Sequence, residues 1–269
     1  MYYLTELKKI LRSHANPTKA KIYAGFFKTA PGEYGHGDLF LGLTVPKQRT
    51  IAKKFYDLSL ADIQKLLKSK VHEERFTGLI ILVRQFQIGD NKQKKKIYNF
   101  YLKNTKRINN WDLVDTSAPQ IVGEYLLNQM RETKTPPSVP PLVGEGIDGP
   151  LPPYRGEIER GVRPRLAVLV TLARSTNLWE RRIAIVATFA FIRANHFDET
   201  LKISKLLLTD KHDLIQKACG WMLREVGKKS PPTLKKFLNH HHQTMPRTML
   251  RYAIEKFSKK EQNYYLTSR

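Results

Sequence analysis

A tryptophan and an aspartate four residues apart are the side chains best suited to chemistry in this 269-residue sequence. Trp111 and Asp115 lie in Arg107-Ile-Asn-Asn-Trp-Asp-Leu-Val-Asp, a stretch whose pattern predicts a helix. Residues four apart share a helical face, so the indole and the carboxylate would point the same way. Such a pair can stabilise positive charge that develops on a bound molecule. A capping or ion-paired role for Asp115 is the alternative.

A second pair combines an indole with a basic side chain. Trp179 begins a predicted helix, Leu178-Trp-Glu-Arg-Arg-Ile-Ala-Ile, and Arg182 follows three positions later on the same face. On a basic surface, arginine suits a phosphate and an indole suits a base or a sugar. Packing at the rim of the core is the plainer interpretation of Trp179. Trp221 stands among apolar neighbours, which predicts that it packs in the core.

The charge of the chain indicates its partner. The sequence has 47 Lys and Arg against 24 Asp and Glu, a formal net charge of +23. Such an excess favours a polyanion, with nucleic acid first and an anionic membrane surface second, and a solvated basic face as the alternative. The side chains predicted to contact a nucleic-acid backbone are spread along the chain: Arg75, Arg107, Arg182, Lys217, Arg247 and Arg251. No zinc-finger or recognition-helix pattern accompanies them, which favours sequence-independent contact.

Several classes of protein are disfavoured by the sequence. The single cysteine, Cys219, allows neither an internal disulfide nor a cysteine zinc cluster, and no HExxH or paired DxD pattern occurs. We therefore expect no metal and no cofactor. The chain lacks an apolar run of about 20 residues and a signal-peptide pattern, which predicts a soluble, cytoplasmic protein without a membrane partner. Nothing indicates oligomerisation or an obligate protein partner, so a monomer is expected.

The elements that must position these side chains are predicted to be helices, because helical periodicity dominates the sequence. Helices are predicted at the N-terminus, after Pro46, and near 60–69, 72–88, 91–104, 119–128, 166–174, 178–194, 198–208, 211–226, 232–240, 246–257 and 260–266. Three of them share a basic residue followed by an apolar run, and Arg182 and Lys217 lie about 35 positions apart, a spacing typical of paired-helix repeats. The predicted fold class is all-α: a HEAT-like helical-repeat solenoid, an α-α superhelix with a concave basic face. A plain helical bundle is the alternative.

Two segments interrupt the helical pattern. Residues 136–164 contain 8 of the 15 prolines and 5 of the 15 glycines, so they cannot hold a helix. We interpret residues 133–164 as a mobile insertion in a single domain, 1–269, with a functional lid as the alternative. The glycine-rich stretch 31–38 lacks phosphate-loop spacing and is predicted to be a connector.

With Gly220-Trp-Met-Leu-Arg-Glu, the stretches around Trp111 and Trp179 resemble the AlkD family of DNA alkylation repair glycosylases. The resemblance covers nearly the whole chain outside residues 133–164. It implies a solenoid that holds double-stranded DNA and hydrolyses the N-glycosidic bond of positively charged alkylated purines, without a metal. It also implies that Trp111 and Trp179 flank the deoxyribose of the lesion, that Asp115 is the catalytic carboxylate and that Arg182 contacts DNA.

The insertion is the departure from the family pattern, because it separates the two halves of the implied site. One acid with aromatic side chains suffices for a purine cation, which is already a good leaving group. If the halves do not meet, the alternative is a non-catalytic HEAT-repeat protein that binds damaged or branched DNA. A protein-binding solenoid is the third interpretation of the function.

Overall fold

The computed structural model describes residues 2–132 and 164–267, most of which are helical. The helices are α1 (Tyr2–Ser13), α2 (Pro17–Phe26), α3 (Val45–Ala52), α4 (Leu60–Leu67), α5 (His72–Ile88), α6 (Asn91–Lys103), α7 (Trp111–Ala118), α8 (Glu124–Glu132), α9 (Pro164–Ala173), α10 (Leu178–Ala187), α11 (Phe189–Arg193), α12 (Asp198–Leu206), α13 (Asp213–Lys229), α14 (Pro231–His241), α15 (Arg247–Ala253) and α16 (Lys259–Thr267). Across the described ranges the only β contact is a single isolated bridge between Leu39 and Val71. No helix within them is both long and apolar enough to span a bilayer.

The helices form two layers. In the inner layer α5, α7, α10, α13 and α15 contact one another in that order. In the outer layer α4 packs on α5, α9 on α10, and both α12 and α14 on α13. Each outer helix thus covers the inner helix nearest to it in sequence, as in stacked helical pairs. The predicted all-α helical-repeat solenoid is confirmed, and the plain bundle is not found.

Three helix predictions differ from the structure. The predicted helix at 119–128 is a continuation of α7 through a π-helical turn, Pro119–Gly123, into α8. Such a turn accommodates Pro119, which lacks an N–H and would otherwise disrupt the ladder. The helix predicted at 178–194 divides at Thr188, whose hydroxyl donates to the Ile185 carbonyl oxygen at 2.7 Å. Helix α2 was not predicted, because none of its residues is buried and it shows no apolar stripe.

The buried apolar side chains form one cluster that runs from Leu4 to Tyr265. Two neighbouring inner helices begin at this core in the same way. The Asn110 side chain accepts from the Trp111 backbone N–H at 2.8 Å, and that of Asn177 accepts from Trp179 at 2.8 Å. Asparagine caps of this kind fix where a helix starts. The sequence therefore places a tryptophan in the first turn of both α7 and α10.

The parts of the chain on either side of residues 133–163 pack directly against each other. A Cβ at Gly123 would lie 2.2 Å from the Ala187 carbonyl oxygen, so only glycine allows this approach of the π-helical turn to α10. The Thr105 hydroxyl donates to Glu180 at 2.7 Å across the same boundary. The two halves therefore meet. The insertion predicted at 133–164 lies, apart from Pro164, outside the described residues.

Candidate active site

The centre of the site is a buried ion pair between α7 and α10. Arg182 donates from Nε to one carboxylate oxygen of Asp115 at 2.9 Å and from Nη2 to the other at 2.8 Å. Its remaining Nη1 donates to the Leu214 carbonyl oxygen at the start of α13, at 2.5 Å. The side chains of Arg182 and Asp115 are 7% and 20% exposed. Three consecutive inner helices are thus joined at one guanidinium, which fixes the carboxylate in orientation.

Burial raises the pKa of the Asp115 carboxyl above its usual value. The Arg182 guanidinium opposes this by stabilising the anion, and the nearby Asp112 carboxylate adds to the rise. A carboxylate with a raised pKa inside a protein interior is typical of functional sites.

Trp111 stands at the start of α7 against a stack of rings. Phe27 lies parallel to the indole at 5.2 Å between centroids, and Phe40 lies parallel to Phe27 at 5.1 Å. Phe26 meets the indole edge-on at 5.8 Å. One indole face is therefore packed against the N-terminal segment, which holds the ring in a single orientation.

An open cleft of about 500 Å³ is bordered by Trp111 and by Arg182, the partner of Asp115. Its aromatic and basic lining residues are Phe26, Tyr34, Trp111, Trp221, Tyr252, Arg182, Lys217 and Arg224. Aromatic faces suit bases and sugars, and guanidinium and ammonium groups suit phosphates. Of the predicted site residues, the structure brings together Trp111, Asp115, Arg182 and Lys217.

The structure corrects the positions expected for two tryptophans. Trp179 is 7% exposed and meets Tyr34 edge-on at 5.9 Å, so it is a packing residue behind the cleft rather than part of its lining. Trp221, predicted to be in the core, is half-buried and lines the cleft. The sequence feature that could have placed Trp221 in the cleft is its helical face, which it shares with Lys217 four positions earlier and Arg224 three positions later.

Five of the six basic residues expected to bind a backbone divide into three groups. Arg182 and Lys217 line the cleft, and Lys217 pairs with Asp213 at 2.7 Å, which raises the pKa of Lys217. Arg107 and Arg251 are exposed. Arg247, half-buried on α15, donates to the Leu266 carbonyl oxygen at 2.7 Å.

Arg75 is a correction, because its guanidinium is internal. Arg75 is 3% exposed and donates to Asp38 at 2.6 Å and to the Ser69 carbonyl oxygen at 2.9 Å. It holds the glycine-rich stretch in place and cannot reach a phosphate from there. Arg224, which the sequence did not single out, lines the cleft instead.

The glycine-rich stretch 31–38 is more than the connector that was predicted. Tyr34 projects into the cleft, and Asp38 is bound by Arg75 and lies 3.4 Å from His72 Nδ1. The other ring nitrogen of His72 lies 2.7 Å from Asp112, the residue after Trp111. Burial alone would lower the pKa of His72, but the two carboxylates outweigh it and raise that pKa. Within residues 2–132 and 164–267 no group of three His, Cys, Asp or Glu side chains is placed to hold a metal ion.

Fold and site together define a helical-repeat protein whose basic, aromatic cleft is lined by the arginine of a buried aspartate–arginine pair. A family model described as "DNA alkylation repair enzyme" matches residues 7–136 and 154–257, and the chain belongs to this family. The resemblance to AlkD-type DNA alkylation repair proteins is thereby confirmed. The part of the chain that the family model leaves unmatched between these two ranges falls inside the predicted insertion.

One solved structure, described as "Predicted DNA alkylation repair enzyme from Enterococcus faecalis", superposes on this chain with a TM-score of 0.63. The two sequences are 15% identical, and the match covers 91% of this chain and 97% of the other. At that identity the likeness concerns the fold alone. No match was found among curated protein sequences. Family membership indicates a role in the repair of alkylated DNA.

Proposed function

We propose that this protein is a DNA glycosylase that hydrolyses the N-glycosidic bond of positively charged alkylated purines in duplex DNA. The family supports DNA alkylation repair in general. The finer activity rests on one observation: a carboxylate with a raised pKa, Asp115, is held by Arg182 at an aromatic cleft.

The reaction needs little besides a placed carboxylate. The bond between C1′ and the purine nitrogen breaks, and its electron pair neutralises the positive charge of the base. The sugar that remains has oxocarbenium character, which the Asp115 carboxylate stabilises. Water forms the new bond to C1′ and gives its proton to Asp115, so the products are an abasic site and a free alkylpurine. No general acid and no metal ion takes part.

The other cleft residues bind the DNA. Trp111 and Trp221 present indole rings to the sugar and its neighbours, where attraction to a cation contributes roughly 0.5–2 kcal/mol. Lys217 and Arg224 neutralise phosphates, with a contribution that weakens as salt rises. Arg182 orients Asp115 and presents its guanidinium to the strand that carries the lesion.

A base-release assay tests the proposal. Duplex oligonucleotides containing 7-methylguanine are incubated with the protein, and free base is separated from DNA chromatographically. We expect release by the parent protein and much slower release by Asp115→Asn. Binding of the same duplex without release supports the non-catalytic alternative, whose main argument was that the two halves do not meet. Salt-insensitive, weak duplex binding supports a protein-binding solenoid.

The two corrected tryptophans give a matched pair of variants. Trp221→Ala should lower the single-turnover rate about 10-fold or more, because it removes a ring that lines the cleft. Trp179→Ala should instead lower the free energy of unfolding by about 3–5 kcal/mol, because it empties a buried position. Rates and denaturant unfolding curves measured on both variants check this. The reverse result, with Trp179 dominating the rate and Trp221 the stability, would restore the assignment made from sequence.

The pH dependence of base release should have an acid limb above that of an ordinary aspartate, whose pKa is about 3.9. Burial raises the pKa of Asp115, so the active carboxylate is present above that pKa and is lost as pH falls through it. Single-turnover rates, corrected for spontaneous depurination, give the profile. Asp115→Asn should lack this limb. An acid limb at the ordinary aspartate pKa would contradict the prediction, because it would mean that Arg182 lowers the pKa of Asp115 as much as burial raises it.

A further inference from the structure

We propose that the Tyr34 hydroxyl donates a hydrogen bond to the nucleotide bound in the cleft, which makes the loop at 28–38 a specificity element of the site. This inference rests on the proposed DNA-binding function of that cleft. It assigns a role to a segment that family membership and the Asp115–Arg182 pair leave unexplained.

The loop at 28–38 is folded back on itself so that Tyr34 faces inward. The Gly35 N–H donates to the Lys28 carbonyl oxygen at 3.0 Å, and a Cβ at Gly35 would lie 2.3 Å from the Phe27 carbonyl oxygen. Lys28 and Gly37 both adopt positive φ, at 52° and 86°. Only glycine fits at position 35, so the turn that presents Tyr34 is specified by the sequence.

The loop is also fixed at its far end. Asp38 accepts from Arg75 at 2.6 Å and lies 3.4 Å from His72, whose other nitrogen lies 2.7 Å from Asp112. The pKa of Asp38 is lowered because His72 and Arg75 outweigh its burial. This chain of charged contacts joins the loop to the first turn of α7, which carries Trp111. Tyr34 therefore keeps its position relative to the proposed catalytic helix.

The Tyr34 ring spans the two halves of the site. It meets Trp179 of α10 edge-on at 5.9 Å, and the Trp111 side chain of α7 lies near its hydroxyl. An indole N–H can only donate, so Trp111 cannot accept the hydroxyl hydrogen of Tyr34, which is left to donate elsewhere. Among residues 2–132 and 164–267 no acceptor for that hydrogen is found.

The hydroxyl remains protonated at neutral pH. Burial raises the pKa of Tyr34, and the Trp111 N–H opposes this. The nearby Asp213 carboxylate is already paired with Lys217 at 2.7 Å. A neutral, oriented O–H at the cleft surface is suited to an acceptor atom of a nucleotide. That acceptor is either on the base or on the sugar–phosphate, and the same donor serves both.

Tyr34→Phe tests the inference, because it keeps the ring contact with Trp179 and removes only the hydroxyl. We expect the single-turnover rate or the duplex affinity to fall about 3- to 10-fold, the usual range for one hydrogen bond. Tyr56→Phe, outside the cleft, is the matched control and should resemble the parent. A fall in rate with unchanged binding of a duplex containing a tetrahydrofuran abasic analogue identifies the base as acceptor. Equal weakening for that duplex and for undamaged DNA identifies the sugar–phosphate.

A double variant distinguishes donation by the Tyr34 hydroxyl to the nucleotide from a role in which Tyr34 only holds Trp111. If Tyr34 only orients the indole, then adding Tyr34→Phe to Trp111→Phe changes nothing further, and the inference is overturned. If the hydroxyl donates to the nucleotide, the double variant loses a second factor of similar size. Parent-like rate and affinity in Tyr34→Phe also overturn it. Should the parent release no base, the proposed glycosylase activity fails, while the binding arms still test the hydroxyl.

Discussion

Asp115→Asn should reduce the rate of base release by about 10²–10³-fold, a loss typical of removing one electrostatic stabiliser of a transition state. The amide keeps the shape of the carboxylate and can still accept one of the two Arg182 hydrogen bonds, so the fold should be kept at a reduced free energy of unfolding. It carries no negative charge to stabilise the oxocarbenium-like sugar. Duplex binding should be similar or tighter, because one anion is removed beside a polyanion. Single-turnover rates and equilibrium binding of the same methylated duplex measure both quantities.

Asp62→Asn is the matched control for this substitution. Asp62 is a carboxylate of α4 that pairs with Lys65 at 2.8 Å and lies outside the cleft. Its replacement should leave the rate unchanged. If Asp115→Asn releases base as fast as the parent does, the role assigned to Asp115 is wrong.

Arg182→Met should lower the free energy of unfolding by about 3–5 kcal/mol, the usual cost of leaving one partner of a buried ion pair alone. The substitution removes both contacts to Asp115 and the contact to Leu214 that joins α10 to α13. Without its Arg182 partner the Asp115 carboxyl becomes harder to ionise, so base release should be lost as well. Denaturant unfolding at neutral pH measures the first effect.

A double variant separates stability from activity at this pair. Asp115→Leu combined with Arg182→Met should recover most of the lost stability, because apolar pairs often replace buried ion pairs without cost. It should recover no base release. Arg181→Met is the matched control, since Arg181 is the neighbouring arginine, pairs with Asp210, and has a more exposed side chain than Arg182, at 19% against 7%. Parent-like stability in Arg182→Met would contradict a buried, structurally necessary pair.

The sequence was sufficient for the parts of the site that depend on local spacing. Trp111 and Asp115 share a helical face because four residues make about one turn, whatever surrounds the helix. Arg182 was singled out on the same ground. The all-helical solenoid followed from long apolar periodicities, which packing does not override.

The remaining site residues could not be predicted, because their roles depend on which face of each helix meets the cleft. Trp179 and Trp221 both lie on inner helices, and spacing alone does not say which one the neighbouring helices cover. The sequence pattern places Arg75 at a repeat position, which predicts an outward-facing basic residue. Its guanidinium instead pairs with Asp38, 37 positions earlier. The loop at 28–38 has no periodicity to interpret. Its fold depends on a close backbone approach at Gly35 that only three dimensions reveal.

The pair at the centre of the site also determines when, during synthesis, the site can exist. Asp115 and Arg182 are 67 positions apart, so at about 5–20 residues per second the arginine is made roughly 3–13 s after the aspartate. Until then α10, which packs on α7 and carries the partner of Asp115, is absent, and the carboxylate is left to the solvent. A nascent chain that ends before α10 therefore lacks the ion pair at the centre of the proposed site.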